Sequence, residues 1–487
     1  YKARKFTDAN GFKNMVCCGG NGCVIDNELV ENIPLDKDGC IKIIHQAEEL
    51  GYGWCVALDD TKDVYMTDDK FLRQVGKRKE PTRYIIDDML EVEKADAIYK
   101  VYVAIPKEDE EKLTTKELVG HLRFEPEYLM FQPDNKRGAL MREQGIEALL
   151  ISHAANRYYL SGFELHDVQL NESAGRLIVM ADGKDWILTD SRYLDAARRL
   201  WEPERVFIYG ADAPEDIAKL LKGLVPGKTI GFEARAVTLE FYEKFAETLA
   251  GSGCRLSKAD GLVERLRVIK DTEEIRRMEI SCRLNQQMME WLPGVLVPGR
   301  SEAAVSWDIE MFFRHHGATE LAFTSIVGHG PNAALPHYLP SKDALLEAEN
   351  LVLVDVGCRL EDYCSDQTRT FWVGEKPTER FKKTLEAVQE AQHKAIRAIH
   401  PGVLACDVYK AARGHFESLG VAEAFTHGLG HGVGLETHEG PSLNGRNKTP
   451  LEPGMIVTVE PGLYFPEWGG IRWEHMVLVT EDGCRVL

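Results

Sequence analysis

The sequence predicts a mixed α/β and α+β protein of three consecutive units, the last of them duplicated about a pseudo-two-fold axis. Its 487 residues are 44% hydrophobic and 28% charged, which is typical of a soluble globular chain long enough for two to four domains. Strand-like and helix-like runs alternate along most of this length. A segment that begins at Pro298 also recurs at Pro401, and this repeat predicts the duplication.

Residues 1–130 are expected to form an α+β unit. Runs such as GWCVALDD, IYKVYVAI and LRFEPEYLMF are typical of strands, whereas KDGCIKIIHQAEEL, DDKFLRQVG and EDEEKLTTKELVGH favour helices. The GGNGC cluster is a weak phosphate-binding signal, and we interpret it as a plain turn. No side chain of this unit has a convincing catalytic setting.

Residues 131–265 are expected to form an α/β domain. KRGALMREQGIEALLI predicts a helix followed by a strand, and GRLIVMADGKDWILT predicts a hairpin that turns at Asp182-Gly183. The strands near VFIY and KTIGFE alternate with helical runs. A long helix over 270–292, with Asp271 or Thr272 as its N-cap, would then open the third unit, 266–487.

The third unit contains two similar halves, 103 residues apart (401−298). Each half has Pro-Gly, a helical run, a glycine and Ala-Phe, then a glycine-rich stretch that ends in a histidine, His337 or His438. Each half continues into two apolar strands, joined by a short turn, that carry two acids. A pseudo-two-fold would bring the acids of both halves to a shared central cleft.

Five residues of this unit are candidate metal ligands, namely Asp355, Asp366, His431, Glu460 and Glu474. Four converging carboxylates would repel one another and take up protons unless a cation neutralised them. Two divalent ions that share and activate a water are a common solution. Oxygen-rich ligation with one imidazole favours Mn, Co or Zn. The opposing interpretation, solvated acids at strand ends, does not account for five such residues in apolar strands.

The expected chemistry is attack of a metal-bridging hydroxide on an amide carbonyl, with Glu460 carrying the proton. His337 and His438 could donate hydrogen bonds to the tetrahedral intermediate or to the leaving nitrogen. Arg472 shares a strand face with Glu474 by the period of two, and would orient carboxylates or bind a substrate carboxylate. His427 either shapes the substrate pocket directly or contacts the residues that line it.

The overall charge excludes some other functions. The net charge is −19, which argues against a nucleic-acid partner. The sequence has no apolar run of 18 residues and no signal-peptide pattern, so we expect neither a membrane span nor export. The eleven cysteines show no zinc-site spacing and are interpreted as reduced thiols of a cytoplasmic protein.

Residues 132–487 resemble the pita-bread metallopeptidases, a family that includes Xaa-Pro dipeptidase (prolidase), aminopeptidase P, methionine aminopeptidase and the metal-free creatinase. The motifs that carry the resemblance are VDVGCRLEDYCSDQTRTF, HGLGHGVGLETHEGP, VTVEPGLYF and GIRWEHMVLV. The resemblance implies that the five candidates hold two metals, that Asp366 and Glu474 bridge them, and that Glu460 takes the water's proton. It also assigns His337, His438, Arg472 and a substrate-side Tyr464 to the site.

NRYYLSGF and TDSRYLDAA resemble the creatinase-like N-terminal domain that methionine aminopeptidases lack, and creatinase lacks the metal ligands. An Xaa-Pro peptidase is therefore implied, acting on small peptides with proline at the second position, and a homodimer is expected. Proline has no amide hydrogen and restricts its neighbour, which makes such bonds poor substrates for general peptidases. A dipeptidase is favoured. Aminopeptidase P acting on longer peptides, or a silent binding protein on the same fold, remains the alternative.

The first 130 residues resemble a different family, the cap domain of Cof-type haloacid-dehalogenase-like phosphatases, through VCCGGNGCVIDNELV. The DxD and GDxxND motifs that such phosphatases need do not accompany it. The resemblance therefore implies a fused cap without its enzyme, and no phosphatase activity.

Overall fold

The computed structural model describes residues 15–17, 22–25, 28–32, 34–58, 63–75, 83–119, 121–124, 128–131, 141, 144–167, 172–181 and 183–487. They belong to two compact units. The first lies within Tyr1–Gly145 together with Ala181–Gly183, and the second comprises Ile146–Met180 and Lys184–Leu487. The boundaries expected near residues 130 and 265, and the likeness of the first unit to a phosphatase cap, stay predictions.

Among its described residues, the first unit combines two sheets with two α-helices. Strands β1 to β3 form one antiparallel sheet, and the other strands form a second sheet in the order β6-β5-β4-β7-β9-β8. The bounds are β1 Met15–Cys17, β2 Gly22–Ile25, β3 Glu28–Asn32, α1 Lys37–Glu49, β4 Trp54–Ala57, β5 Asp63–Met66, α2 Lys70–Val75, β6 Arg83–Ile86, β7 Lys100–Val103, β8 His121–Phe124 and β9 Tyr128–Phe131.

One helix predicted for this unit is wrong. The run 108–121 contains two 3₁₀ segments, Lys107–Lys112 and Thr114–Leu118, separated by the buried Leu113. The polar stretch EDEEK offers no apolar stripe at the helical period, so an α-helix there would have had no face to bury.

The second unit begins with a six-stranded mixed sheet of order β13-β12-β11-β10-β14-β15. The hairpin predicted around residue 183 is confirmed, because β11 and β12 pair antiparallel. The helix predicted within 136–144 lies mostly outside the described residues. The bounds are β10 Ala148–Ile151, α3 Ala154–Ser161, β11 Arg176–Met180, β12 Trp186–Thr189, α4 Leu194–Leu200, β13 Val206–Ile208, α5 Ala213–Leu224, β14 Thr229–Phe232, α6 Leu239–Leu249 and β15 Arg255–Lys258.

The remainder of this unit contains five helices and thirteen strands. They are α7 Glu264–Arg267, α8 Thr272–Trp291, α9 Glu302–His315, β16 Glu320–Leu321, β17 Ile326–His329, β18 Asn350–Val356, β19 Cys358–Leu360, β20 Tyr363–Cys364, β21 Gln367–Val373, α10 Glu379–Arg397, α11 Ala405–Ser418, β22 Gly430–Gly432, β23 Glu439–Leu443, β24 Ile456–Val459, β25 Gly462–Phe465, β26 Gly469–Arg472, β27 His475–Val479 and β28 Cys484–Val486. No helix in the described part of the chain is long and apolar enough to cross a membrane.

The long helix predicted over 270–292 is confirmed as α8, and a capping box begins it. The Glu274 amide donates to Asp271 Oδ1 (2.8 Å), and the Asp271 amide donates to Glu274 Oε2 (2.9 Å). Two donors that the first helical turn leaves without partners are satisfied in this way.

The internal repeat is confirmed by the two helices that follow its Pro-Gly pairs. Helix α11 begins and ends 103 residues after α9 (405−302 and 418−315), the offset that the sequence predicted. Helices α8 and α9 pack on one face of β18 through residues such as Met288, Ile309 and Val354. Helices α10 and α11 cover β24 and β27 in a second core.

Each acid-bearing segment contains four strands instead of the two predicted. Strands β18 and β21 pair antiparallel, as do β24 and β27, but an inner hairpin separates the members of each pair, β19–β20 in the first half and β25–β26 in the second. Glu361 and Asp362 turn the first inner hairpin with φ of 50° and 71°, a left-handed conformation that the sequence pattern did not reveal.

Candidate metal centre and active site

Four strand ends bring the predicted acids together. Asp355 is the penultimate residue of β18 and lies opposite Thr368 of β21, which places it near Asp366, the residue that directly precedes that strand. Glu460 directly follows β24, and Glu474 directly precedes the paired strand β27. The odd-numbered residues of β18, including Leu351 and Leu353, face the core of the second half, so period-two alternation turns Asp355 toward the same side.

The four carboxylates form one buried cluster, which we call the acidic centre (Asp355, Asp366, Glu460 and Glu474). One oxygen each from Asp355, Asp366 and Glu474 lies within 4.8 Å of the other two, a spacing suited to a metal ion. His431 Nε2 joins the cluster, 3.3 Å from Glu460 Oε1 and 3.7 Å from Asp366 Oδ2. The structure thus brings all five predicted ligands to one place.

Two oxygens of the acidic centre are buried without a hydrogen-bond partner among the described residues, Asp355 Oδ1 and Glu474 Oε1. Their residues are 9% and 1% exposed. A buried carboxylate oxygen with no donor is expensive to maintain, and a cation is the partner that would satisfy it. This donor set therefore fits a divalent metal.

The pKa values of the acidic centre reflect burial and repulsion between its carboxylates. Burial, followed by the neighbouring carboxylates, raises the pKa of Asp366 and of Glu474 well above their ordinary values. The pKa of Asp355 is raised for the same reasons, against the pull of Arg472. Glu460 differs: burial opposes its ionisation, but the hydrogen bond and charge of His431 outweigh burial and lower its pKa.

Arg472 is positioned differently from the sequence prediction. It is the last residue of β26, so it does not share a strand with Glu474, and the guanidinium pairs instead with Asp355 across the site (Nη2 to Oδ2, 2.6 Å). It also donates to Thr368 Oγ1 (3.0 Å) and Tyr464 Oη (2.8 Å). It is 2% exposed, so orienting carboxylates suits it better than binding a substrate carboxylate.

Glycine explains how the strand that carries His431 approaches its neighbours. A Cβ on Gly430 would lie 2.0 Å from the Thr458 carbonyl oxygen, and one on Gly432 would lie 2.0 Å from that of Gly440. The close backbone approach expected for this glycine-rich stretch is therefore real. It lets the His431 amide donate to Thr458 Oγ1 (3.0 Å), while Nδ1 lies 3.0 Å from the Gly432 carbonyl oxygen.

His427 and Tyr464 lie together on the other side of Arg472. His427 Nε2 is 2.8 Å from Tyr464 Oη, and that hydroxyl oxygen accepts from Arg472. Burial lowers the pKa of His427, so the ring is neutral near pH 7. Burial raises the pKa of Tyr464 to about 12, which keeps the hydroxyl protonated.

A cavity of about 1030 Å³ opens onto the acidic centre. Eight of the ten residues that the sequence singled out line it, namely His337, Asp355, Asp366, His427, His431, His438, Glu460 and Arg472. Glu474 and Tyr464 lie just behind them. The His438 ring is 4.3 Å from the His431 ring between centroids, and His337 faces the cavity from the loop before β18.

Sequence reasoning missed the hydroxyl and amide side chains that hold the site. Thr368 Oγ1 donates to Glu474 Oε2 (2.8 Å), and Thr458 Oγ1 donates to Glu460 Oε1 (3.0 Å). Gln392 of α10 donates to the carbonyl oxygens of Val459 (2.9 Å) and Trp473 (3.1 Å), beside Glu460 and Glu474. Alternation from Asp366 could have indicated Thr368, but no sequence signal marked Gln392.

A second group of charges, of which Arg267, Lys270 and Glu439 have buried side chains, joins the residues before α8 to those around His438. We call it the bridging network (His153, Arg267, Lys270, Glu436 and Glu439). Arg267 Nη2 pairs with Glu436 Oε2 (2.8 Å) and also with Glu439, and Lys270 Nζ lies 3.2 Å from Glu439 Oε2. His153 Nε2 lies 3.1 Å from Glu436 Oε1. Because the two glutamates flank His438, this network fixes the segment that presents it.

Two family models match the chain. Metallopeptidase family M24 matches residues 276–481, and the creatinase/prolidase N-terminal domain matches residues 135–269. Both matches lie within the segment that the sequence motifs had indicated.

Individual relatives and solved structures are similar to most of this chain. An Xaa-Pro dipeptidase of Pyrococcus furiosus is 33% identical over 71% of this chain and 94% of its own length. The solved structure of an Xaa-Pro dipeptidase from Bacillus anthracis is 33% identical, covers 72% of this chain and 95% of its own, and superposes with a TM-score of 0.66. The X-Pro aminopeptidase of Thermotoga maritima is 30% identical, with coverages of 72% and 97% and a TM-score of 0.63. The chain is thus a pita-bread metallopeptidase of family M24, preceded by a creatinase/prolidase N-terminal domain.

Proposed function

We propose that this protein is an Xaa-Pro dipeptidase that works with two divalent ions, Mn, Co or Zn. The observation that supports this most is the acidic centre, whose buried oxygens on Asp355 and Glu474 lack partners among the described residues. Asp355, Asp366, His431, Glu460 and Glu474 would hold the ions. When bound, the ions would supply Lewis acidity and lower the pKa of a shared water.

The chain's own residues would complete the reaction. Glu460 Oε1 is engaged by His431 and Thr458, so Oε2 is the atom that would accept a proton from a water in the cavity. His337 and His438 face the same cavity and would donate hydrogen bonds to the carbonyl oxygen or the leaving nitrogen. Arg472 would orient Asp355, and Tyr464 would hold His427 at the substrate side.

A second candidate is an aminopeptidase that cleaves the Xaa-Pro bond of longer peptides. The cavity of about 1030 Å³ exceeds what a dipeptide fills, and its arginine is already paired with Asp355 instead of being available for a terminal carboxylate. A dipeptidase would be expected to reserve a cation for that carboxylate.

The two activities are separated by one experiment on metal-stripped full-length protein. Hydrolysis of Ala-Pro and of Ala-Pro-Ala is measured without metal and with added Mn²⁺ or Co²⁺. Metal-dependent cleavage of Ala-Pro supports the dipeptidase, whereas cleavage of Ala-Pro-Ala alone supports the aminopeptidase. Failure to cleave either peptide, with metal bound and the fold intact, would overturn the proposal.

A matched pair of variants tests the role of Glu460. Glu460→Gln should abolish hydrolysis, because the amide neither binds a divalent ion well nor accepts a proton. Glu467→Gln, an exposed position seven residues further on, should leave hydrolysis unchanged. Cytoplasmic location and a homodimer belong to the same proposal, the former supported by the free thiols of the eight cysteines whose side chains the structure describes.

A further inference from the structure

The loop between β17 and β18 forms one wall of the cavity. Five consecutive residues, 335–339, line the cavity, with His337 at their centre. Leu335 and Leu339 are 56% and 71% exposed, so burial of apolar surface holds the tip of this loop only weakly. Its position must be fixed in another way.

Glu302 supplies that fixation from outside the cavity. It is the first residue of α9, and its side chain is completely buried. Oε1 accepts hydrogen bonds from the His329 amide (2.8 Å) and Asn332 Nδ2 (2.9 Å). Oε2 accepts from Tyr338 Oη (2.7 Å) and the Ser341 amide (3.1 Å). One carboxylate therefore binds the start of the loop and both sides of its cavity-lining segment 335–339.

The opposite side of the loop packs against the hairpin β25–β26. A Cβ on Gly470 would lie 2.1 Å from the Ala333 carbonyl oxygen, so the two backbones are in direct contact there. Arg472, at the end of the same hairpin, lies 3.5 Å from the Pro336 carbonyl oxygen through Nη1. The loop is thus clamped between Glu302 and the hairpin that carries Arg472.

We infer that Glu302 is a positioning residue for the peptidase reaction, which fixes the loop that presents His337 to the substrate. The inference rests on the proposed function for the role of His337, although the clamp itself does not. All four partners of Glu302 are donors, and a carboxylate is the side chain that offers only acceptors. A glutamine would direct an NH₂ group at two of these donors.

The test compares Glu302→Gln with Glu310→Gln, which makes the same change on the same helix at a surface ion pair with Arg314. The exchange rates of the backbone amide hydrogens of residues 330–341 are measured in the full-length protein. Loss of buried bonds to a charged acceptor should speed exchange there about tenfold or more in Glu302→Gln. Glu310→Gln should change it by less than about twofold.

Activity gives the second measurement, as a double-mutant cycle with His337→Ala. If Glu302 acts through the loop, Glu302→Gln should lower kcat about tenfold in the parent and by less than about twofold when His337 is absent, with metal content unchanged. Equal effects in both backgrounds would overturn the positioning role.

Unchanged exchange of 330–341 in Glu302→Gln would overturn the clamp whether or not the protein cleaves Xaa-Pro peptides. Failure of the proposed function would instead show as an inactive parent protein with a loop that still responds to the substitution. The two failures are therefore distinguishable.

Discussion

Two charge clusters lie in the second unit, and they differ in whether the chain itself supplies the cations that neutralise their acids. In the bridging network, Glu436 and Glu439 pair with Arg267, Lys270 and His153, so the chain supplies its own cations. In the acidic centre, four carboxylates converge, and among the described side chains that contact them Arg472 is the one permanent cation.

The pKa values of the acids in the two groups reflect this difference. Burial opposes the ionisation of Glu436, but His153 and Arg267 outweigh it and lower its pKa to about 2. Burial and like charge raise the pKa of Asp366 and Glu474 well above the ordinary range. A buried acid with an internal cation is neutralised within the fold, whereas a buried acid without one indicates a partner from solution.

The largest expected effect comes from Asp366→Asn. A bound ion is worth several kcal/mol of transition-state stabilisation, so kcat/KM should fall by more than about a thousandfold. In excess chelator at pH 8 the same variant should be more stable than the parent by about 1–3 kcal/mol, because an amide relieves the repulsion among four carboxylates that converge in the protein interior.

Urea unfolding of both metal-free proteins measures the second effect. Asp343→Asn is the matched control, since that side chain is 79% exposed and its replacement should change stability by less than about 0.5 kcal/mol. If Asp366→Asn destabilised the metal-free protein, the distinction between the two charge groups would fail.

Arg267→Met tests the bridging network. It leaves the buried Glu439 without its main cation, and removal of one member of a buried pair destabilises by about 3–5 kcal/mol. Urea unfolding should show this loss with and without metal. Arg276→Met removes a half-exposed partner of Glu273 and should lower the free energy of unfolding by less than about 1 kcal/mol.

Glu274 is a third kind of buried acid, because its carboxylate is contacted by hydrogen-bond donors. It accepts from Tyr363 Oη (2.7 Å) and the Asp271 amide (2.9 Å), and burial raises its pKa to about 7. The folded state thus binds the proton more tightly than the unfolded state. The resulting stability is complete below the ordinary pKa of about 4.5 and is lost as pH rises through 7, a change of about 3 kcal/mol.

The free energy of unfolding, measured at intervals from pH 4.5 to 8 on chelated protein, should therefore decline less steeply in Glu274→Gln than in the parent. The difference between the two curves isolates this group from the other carboxylates. Parallel curves would mean that the hydrogen bonds to Glu274 compensate fully for its burial.

The fold was predictable where local sequence decides it. The capping box at Asp271 and the repeat that aligns α9 with α11 depend on short patterns, and both were recognisable. The first inner hairpin was missed because its turn depends on the left-handed residues Glu361 and Asp362, which no glycine marked.

The site residues could be named from the sequence, but their partners could not. Alternation within β21 and β26 gives the face of a side chain, whereas the pairing of Arg472 with Asp355 joins residues 117 apart. Glu302 is the clearest example: an acid in the first turn of a helix usually interacts with solvent and the helix dipole, and only the folded loop shows its four donors.

Bound metal ions are expected to neutralise the carboxylates of the acidic centre. The most direct test counts the ions bound per chain after stripped, full-length protein is dialysed against Mn²⁺ or Co²⁺ and freed of excess metal. We expect about two ions per chain, as dinuclear hydrolytic sites hold. Less than one ion per chain, with the fold intact, would contradict it.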